Sequence, residues 1–405
     1  MSLTKQPILN IGMVGHIDHG KTTLLYKLSG KWTDTHSEEL KRGITIKLGY
    51  SDVIIKKCKS CGQYTHADKC KCGENAEPVK YISFVDAPGH EMLMATMLSG
   101  ATIIDAAILV IAANEHCPRP QTREHLVALG AKGITHIIIV QNKVDLVDRE
   151  QALKNYAEIK NFVKGSVAEN APIIPCSAQQ EVNIDMIYAE IDKLPIPQRD
   201  IKSKPIFFVA RSFDINRPGT KINDLKGGVL GGVLKQGTLK VGDTIEIKPG
   251  LVTKKHNITE YKTITTKITA LFSGTNSFDE VVPSGSLAIQ TELDPILTKA
   301  DSLSGCVISK EKELPEMQSR IKLKYQLFKQ VLGEEQEKAV DNLKVTELLL
   351  LSVNTTTTVG TVTRIKGDEA ELVLKIPIVP IPGKIGVARN FNGHWRLIGW
   401  GELAK

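Results

Sequence analysis

The chain has 405 residues, which is too many for one ordinary hydrophobic core, so two or three domains are expected. Hydrophobic residues make up 41% of it and charged residues 24%, which excludes an intrinsically disordered chain. No apolar run is long enough to cross a bilayer and the N-terminus shows no signal-peptide pattern, so we expect a cytoplasmic protein with no membrane partner. The net charge of +7 mildly favours a polyanionic partner such as RNA, but ordinary solubilising charge explains it equally well.

Short apolar runs alternate with amphipathic stretches from about residue 7 to 194, as in NIGMVG followed by KTTLLYKLSG. This alternation predicts an α/β domain with a mostly parallel sheet, whose ligand binds at the carboxyl ends of the strands. After Pro205 the chain changes to short runs rich in Val, Ile and Thr, punctuated by glycine and proline, which predicts two all-β barrel domains. The predicted domains are 1–204, 205–317 and 318–405.

Residues 15–22, with the sequence GHIDHGKT, match the phosphate-loop pattern G-x-x-x-x-G-K-[ST] between a predicted strand and a predicted helix. Glycines let backbone amides converge on phosphate oxygens, Lys21 adds a positive charge, and the Thr22 hydroxyl is a ligand for Mg²⁺. His16 and His19 are expected to pack the loop rather than to bind a metal. The predicted nucleotide-binding residues of this segment are Asp18, His19, Gly20, Lys21, Thr22 and Thr23.

The base is indicated by Asn142-Lys143-Val144-Asp145, which follows the predicted strand HIIIVQ. An Asp carboxylate accepts hydrogen bonds from the N1 and N2 donors of guanine, whereas adenine presents the opposite pattern. Ser177-Ala178-Gln179, after APIIPC, would complete the guanine pocket. Taken alone, either segment is also explained as the start of a helix.

The segment Asp86-Ala87-Pro88-Gly89-His90 ends the predicted strand YISFVD. An Asp at this strand end reaches Mg²⁺ through water, and the Gly89 amide is a donor to the γ-phosphate and a hinge for the following segment. The alternative is a Pro-Gly turn with a capping Asp. In combination with the phosphate loop and NKVD, the segment predicts a GTPase that binds GTP or GDP with Mg²⁺.

Four of the seven cysteines fall within fifteen residues, which favours a metal in a reducing compartment over disulfides. They occupy an insertion at 56–74 and predict a structural Zn²⁺ site. The second pair has one intervening residue instead of two, which places the fourth ligand in doubt, and His66 is the fallback ligand. A metal-free surface loop is the alternative. The predicted zinc ligands are Cys58, Cys61, Cys70 and Cys72, and the solitary Cys117, Cys176 and Cys306 are expected to be small buried apolar residues.

The spelling of GHIDHGKTTL and DAPGH resembles that of the translational GTPases. The stretches THSEELKRGITIKLGY, DAPGHEMLMATMLSGA, RSFDINRPGT and RLIGWGEL are similar to the gamma-subunit family of archaeal and eukaryotic translation initiation factor 2. The resemblance extends from about residue 7 to 403, with the shortened cysteine pair as its one departure. It implies a G domain followed by two β-barrels, as in elongation factor Tu.

The resemblance also implies roles for individual residues. Thr45, in the segment RGITI, matches the residue that closes over Mg²⁺ and the γ-phosphate, and His90 matches the residue that orients the attacking water. Asp18 matches a position that helps to hold a cation. No arginine in the Thr45 segment is clearly placed to act as an arginine finger, although Arg42 is a candidate, so we expect slow intrinsic hydrolysis. The catalytic candidates are His90, Lys21 and Thr45, and the Mg²⁺ candidates are Thr22, Thr45, Asp86 and Asp18.

The function implied by the resemblance is that of a GTP-dependent carrier, which brings methionylated initiator tRNA to the small ribosomal subunit and leaves after GTP hydrolysis. Such a carrier is the core of a heterotrimer, with an alpha subunit on the second domain and a beta subunit on the G domain. An elongation factor Tu-type carrier is the main alternative, although the cysteine insertion and TIKLGY speak against it. A selenocysteine-specific factor would be expected to carry a further C-terminal domain beyond residue 405. A sulfate-activating GTPase subunit and a non-hydrolysing scaffold are the remaining alternatives.

Overall fold

The structure is a computed structural model that describes residues 5–32, 49–86, 103–217, 219–255, 258–274, 276–328, 339–391 and 393–404. The chain divides into two compact units. The first consists mainly of Met1–Pro197, and the second mainly of Gln198–Phe328 and Val340–Gly393. No helix in these described ranges is both long enough and apolar enough to span a membrane.

The first unit is built on one seven-stranded sheet with helices packed against it. Its described strands are β1 Asn10–Gly15, β2 Gly49–Cys58, β3 Tyr64–Thr65, β4 Ala76–Asp86, β5 Ala106–Ala112, β6 His136–Asn142 and β7 Ile173–Pro175; its described helices are α1 Lys21–Ser29, α2 Pro120–Lys132, α3 Arg149–Val163 and α4 Ile184–Lys193. The strand order is β3-β2-β4-β1-β5-β6-β7. The five strands from β4 to β7 pair in parallel, so the predicted mostly parallel sheet is confirmed.

The central strands β1 and β5 are buried along their whole length, as expected for strands covered by helices on both faces. Apolar residues of α1 and α4, among them Leu24, Leu28 and Tyr188, pack against one face of this sheet. Helix α1 ends at Gly30, whose backbone is left-handed with a φ of 70° and whose amide donates to the Tyr26 carbonyl at 2.7 Å. Because α1 begins shortly after β1 ends, the start of α1 lies at the carboxyl ends of the parallel strands.

Strands β2 and β4 form a long antiparallel hairpin at one edge of the sheet, running from the pair Gly49 and Asp86 to the pair Cys58 and Ala76. The sequence predicted β4 only from Tyr81 onward and did not predict β2. The outer part of β4, residues 77–79, is exposed and carries no alternation of apolar residues. It is a strand because the ladder to β2 pairs its backbone, which the sequence pattern does not reveal.

Lys80 fastens this hairpin to the end of helix α4. Its side chain is only 6% exposed and donates to the carbonyls of Ile191, Asp192 and Leu194 at 3.0, 2.6 and 3.0 Å. Burial lowers the pKa of Lys80. Carbonyls at a helix C-terminus attract a cation, so this contact closes α4 where the chain turns into Pro195 and Pro197.

The second unit contains two closed antiparallel barrels, which confirms the predicted fold class. The strand orders are β11-β16-β8-β9-β15-β12, closed by β11 with β12, and β17-β20-β19-β18-β21-β22. Each barrel has its own hydrophobic cluster. The described strands are β8 Ile206–Phe213, β9 Val229–Gln236, β10 Leu239–Lys240, β11 Thr244–Lys255, β12 Ile258–Ser273, β13 Asn276–Phe278, β14 Glu280–Val281, β15 Leu287–Thr291, β16 Val307–Lys310, β17 Gln318–Leu327, β18 Leu348–Val353, β19 Thr356–Lys366, β20 Glu369–Ile378, β21 Ile385–Phe391 and β22 His394–Leu403.

Candidate nucleotide site and cysteine cluster

The loop of residues 15–22 joins β1 to α1, as the phosphate-loop pattern predicted. Two of its positions require glycine. Gly15 has a φ of 139°, and a Cβ there would lie 2.3 Å from the Val110 carbonyl oxygen of β5. Gly20 has a φ of 85°, and a Cβ there would lie 2.5 Å from Nδ2 of Asn142. The loop is therefore packed closely enough against β5 and Asn142 to exclude side chains at both ends.

Lys21 and Thr22 begin helix α1 beside the end of strand β4. The Lys21 ammonium donates to the His16 carbonyl at 2.7 Å and so lies across the loop. The Thr22 hydroxyl donates to Oδ2 of Asp86 at 3.1 Å, although the two residues are 64 positions apart. Asp86 is fully buried. A hydroxyl and a buried carboxylate side by side offer oxygen ligands, which the hard cation Mg²⁺ prefers.

The ring of His19 faces the sheet. Its Nδ1 lies 3.0 Å from the Val110 carbonyl oxygen and its Nε2 lies 3.6 Å from Oε2 of Glu115. Burial lowers the pKa of His19 to about 4, and it also lowers the pKa of His16, whose ring meets His19 edge-on at 5.2 Å. Both rings are neutral at neutral pH and brace the loop, while the Asp18 side chain is exposed.

Asn142 connects three segments, namely the loop, NKVD, to which it belongs, and SAQ. Its Nδ2 donates to the His19 carbonyl at 2.9 Å, and its Oδ1 accepts from the Ala178 amide at 3.0 Å. Asp145 lies in a short 3₁₀ turn after Lys143 and is exposed, as is Gln179. The Ser177 hydroxyl accepts from the Gln180 amide at 3.1 Å. The structure thus brings the loop, NKVD and SAQ together at the carboxyl ends of the parallel strands.

The sequence did not predict His125 as part of this site. Its Nδ1, on helix α2, accepts a hydrogen bond from the Gly15 amide at 2.9 Å. The only local signal is a histidine within the amphipathic stretch QTREHLVALG, which does not distinguish a loop contact from a core histidine. The predicted site residues Thr45, Gly89 and His90 lie outside the described residues.

The four clustered cysteines lie at the tip of the β2–β4 hairpin, with all four Sγ atoms within 4.8 Å of one another. Sγ of Cys58 is 3.6 Å from Sγ of Cys72, and Sγ of Cys61 is 3.3 Å from Sγ of Cys70. The Gly62 amide donates to the Cys58 carbonyl and the Gly73 amide to the Cys70 carbonyl, each at 2.9 Å. Both cysteine pairs therefore form tight turns, and the short second pair still brings Cys72 into the cluster.

The cluster is compatible with a bound metal ion. A tetrahedron of sulfurs about 2.3 Å from zinc has edges of about 3.8 Å, close to the separations found here. A backbone hydrogen bond from Cys61 lowers the pKa of Cys58 to about 7, whereas hydrogen bonds with neighbouring thiols raise the pKa of Cys61 to about 12 and also raise that of Cys72, so without a metal Cys58 ionises before these two. The fallback ligand His66 lies outside the group, because its Nδ1 is 3.1 Å from the Tyr188 hydroxyl.

The three solitary cysteines are buried, as predicted, and carry inert thiols. Burial raises the pKa of Cys117 and Cys176 to about 12 and that of Cys306 to about 11. Because thiolates are the reactive form, these residues behave as small apolar side chains.

Comparison with known proteins adds relatives that extend over the full length. Residues 6–197 match the family described as Elongation factor Tu GTP binding domain, and residues 319–403 match Initiation factor eIF2 gamma, C terminal. Translation initiation factor 2 subunit gamma of Methanocaldococcus jannaschii is 52% identical over 402 residues, covering 98% of both chains. The protein of the same name from Pyrococcus furiosus is 52% identical over 405 residues, covering 99% of this chain and 98% of the relative.

Two solved structures share the fold at lower identity. A bacterial selenocysteine-specific elongation factor, EF-Sec, gives a TM-score of 0.75 at 24% identity, covering 98% of this chain and 58% of that one. Elongation factor SelB from Methanococcus maripaludis, in complex with the GTP analogue GPPNHP, gives 0.70 at 22% identity, covering 99% and 80%. These likenesses support the three-part architecture. The full-length relatives at 52% identity, together with the two family matches, show that the chain belongs to the translation initiation factor 2 subunit gamma family and is a translational GTPase.

Proposed function

We propose that the chain carries methionylated initiator tRNA to the small ribosomal subunit in its GTP form, as the core subunit of a heterotrimer with an alpha and a beta subunit. One observation carries the proposal, namely 52% identity to initiation factor gamma subunits over almost the whole chain. A carrier that delivers tRNA to ribosomes works in the cytoplasm. We divide it into a G domain of residues 1–204 and barrel domains of residues 205–317 and 318–405.

The nucleotide site is assigned to the carboxyl ends of the parallel strands, where the loop, NKVD and SAQ meet. The loop amides and Lys21 take the phosphates, and Asp145 takes the N1 and N2 donors of guanine. The Asn142 contacts to His19 and Ala178 support this assignment, because they hold the three segments in one place. The remaining residues of the proposed GTP site are Asp18, His19, Gly20, Thr22, Thr23, Gly89, Lys143, Ser177 and Gln179.

Mg²⁺ would be held by Thr22 and Asp86, joined by Thr45 and Asp18, and when bound it neutralises charge on the phosphate oxygens. The 3.1 Å contact between the Thr22 hydroxyl and Asp86 supports this set. Lys21 and the loop amides stabilise the charge that develops on the transferred phosphoryl group, and His90 orients the attacking water. Thr45 and Gly89 respond to the γ-phosphate, so its departure releases the segments that contain them.

Replacing Asp145 with Asn tests the guanine assignment. The Asn amide donates where guanine N2 also donates, so we expect GTP affinity to fall roughly a hundredfold or more. Xanthosine triphosphate has an acceptor at that position and is expected to bind the variant better than GTP does. Fluorescence titration with both nucleotides measures this, and Asp148→Asn, at the start of α3, is the control. An unchanged preference for GTP would remove Asp145 from the site.

Replacing His90 with Ala tests the water-orienting role. Single-turnover hydrolysis is expected to slow by about tenfold or more, because the water loses its alignment. GTP affinity is expected to stay nearly unchanged, because His90 is assigned no part in binding the nucleotide. His116→Ala, at a histidine whose side chain is 75% exposed, is the matched control. Equal turnover in the His90 variant and the wild type would refute the role.

The metal at the cysteine cluster is proposed to be zinc with a structural role, because four thiolates at tetrahedral separation are a closed zinc site. The protein purified with zinc should contain about one zinc ion per chain by elemental analysis. Cys72→Ser should weaken zinc binding by roughly tenfold or more, measured by competition with a chromogenic chelator. Cys306→Ser, at a buried cysteine of the second unit, is the control. Full occupancy in the Cys72 variant would exclude Cys72 as a ligand.

The alpha subunit is proposed to dock on the first barrel, at the end where strand β8 finishes. Two short turns there carry isoleucines that are 85% exposed at Ile222 and 69% exposed at Ile296. The turn with Ile222 lies in the connection that leaves the end of β8, and the turn with Ile296 is joined to the same end because the Thr298 hydroxyl donates to the Phe213 carbonyl at 3.1 Å. Exposed apolar side chains of this size suit a protein partner. The beta subunit is assigned to the G domain, as in the family.

The proposed carrier is tested by tRNA binding. Methionylated initiator tRNA and an aminoacylated elongator tRNA are each titrated with a GTP analogue or GDP, with and without the alpha subunit. We expect tight binding that is confined to the initiator, requires the GTP analogue and is strengthened by the alpha subunit. The double variant Ile222→Asp, Ile296→Asp should lose the strengthening while retaining nucleotide binding, because charge is costly at an apolar interface.

Equal binding of the elongator tRNA by the chain alone would instead indicate an elongation factor Tu-type carrier. No tRNA binding under any condition would favour a metabolic or scaffold function. Unchanged strengthening in the double variant would move the alpha subunit to another surface.

A further inference from the structure

The first peptide of the nucleotide loop is held by a side chain from helix α2. The Gly15 amide donates to Nδ1 of His125 at 2.9 Å, in a buried hydrogen bond between residues 110 positions apart. Gly15 is also pressed against β5, where a Cβ would lie 2.3 Å from the Val110 carbonyl oxygen. The amide therefore has little room to find another acceptor without a movement of the loop away from β5.

His125 is built to act as an acceptor. Its side chain is 2% exposed. Burial, together with the nearby Lys21, His16 and His19, lowers the pKa of His125 to about 3. The imidazole is neutral at neutral pH, and because Nδ1 accepts the Gly15 proton, the ring proton resides on Nε2.

We propose that His125 is a positioning residue for the nucleotide, which fixes the start of the phosphate loop by accepting the Gly15 amide proton. The inference rests on the proposed nucleotide site. His125 acts through the loop and is assigned no contact with the nucleotide itself.

The geometry gives a reason why the contact acts on nucleotide binding and not only on folding. The far end of the loop is held by Asn142 on the His19 carbonyl, while His125 holds its beginning. In a variant that lacks the His125 acceptor, we expect the loop to relax when no nucleotide is bound and to give the Gly15 amide to water. In the bound protein the loop must return to its place, so a missing acceptor opposes binding.

The test is the dissociation rate of a fluorescent GDP analogue, chased with excess GDP from the full chain. His125→Leu retains a side chain of similar bulk but removes the acceptor, so the dissociation rate of the GDP analogue should rise about tenfold or more. His125→Asn restores an acceptor, because its Oδ1 is bonded to Cγ as Nδ1 is, and dissociation should return to within about threefold of wild type. His66→Leu removes a histidine that contacts Tyr188, away from the loop, and should leave the rate unchanged.

Thermal unfolding of the nucleotide-free variants separates positioning from a purely structural role. If His125→Leu lowers the midpoint but leaves nucleotide dissociation unchanged, the inference is overturned. It is equally overturned if Asn and Leu accelerate dissociation to the same extent. Lys21→Ala reports on the site itself: if that variant binds GDP as wild type does, the proposed site fails. If Lys21→Ala abolishes binding while His125→Leu has no effect, only the inference about His125 fails.

Discussion

The proposed nucleotide site depends on the buried side-chain amide of Asn142, which joins segments that are far apart in the sequence. One end of the amide bonds to the loop at His19 and the other to the Ala178 backbone. Asn142 is 2% exposed, so removing either bond would leave a buried polar group unpaired at a cost of about 1–3 kcal/mol. The same contact explains Gly20, because a Cβ there would displace the amide. One side chain thus sets the distance between the loop and both base-side segments.

The electrostatics of the loop follow from its histidines being neutral. Burial lowers the pKa of His16, His19 and His125, so these rings are neutral at neutral pH and do not repel the positive charge of Lys21. Histidine nevertheless suits two of these positions, because the His19 ring offers a nitrogen to the Val110 carbonyl and the His125 ring offers one to the Gly15 amide, while the His16 ring packs edge-on against His19. A leucine of similar size would fill the space and leave those groups without a partner. The positive charge available to a phosphate is thereby concentrated at Lys21 and the backbone amides.

The sequence predicted the parts of this site whose signals are local. The loop, β1 and α1 follow from a motif between an apolar strand and a helical pattern, and Asp86 and NKVD follow from strand ends. His125 was missed because its partner Gly15 lies 110 residues away, and no local pattern records such a contact. The outer part of β4 was missed because backbone pairing alone makes it a strand. The roles of Thr45, Gly89 and His90 stay predictions.

The β2–β4 hairpin connects the cysteine cluster to Asp86, which we propose as a magnesium ligand. One end of its ladder pairs Gly49 with Asp86, and the other end pairs Cys58 with Ala76. The inner end of the hairpin is held by β1, and its middle by the Lys80 side chain, which donates to carbonyls at the end of helix α4. Towards the tip, β2 also pairs with the two-residue strand β3, and the Tyr64 hydroxyl of β3 donates to Asp192 of α4 at 3.0 Å. The cysteines lie at the tip beyond these contacts. A metal at the tip would remove conformational freedom from both strands at once. The same ladder holds Gly49, the first residue of β2, beside Asp86.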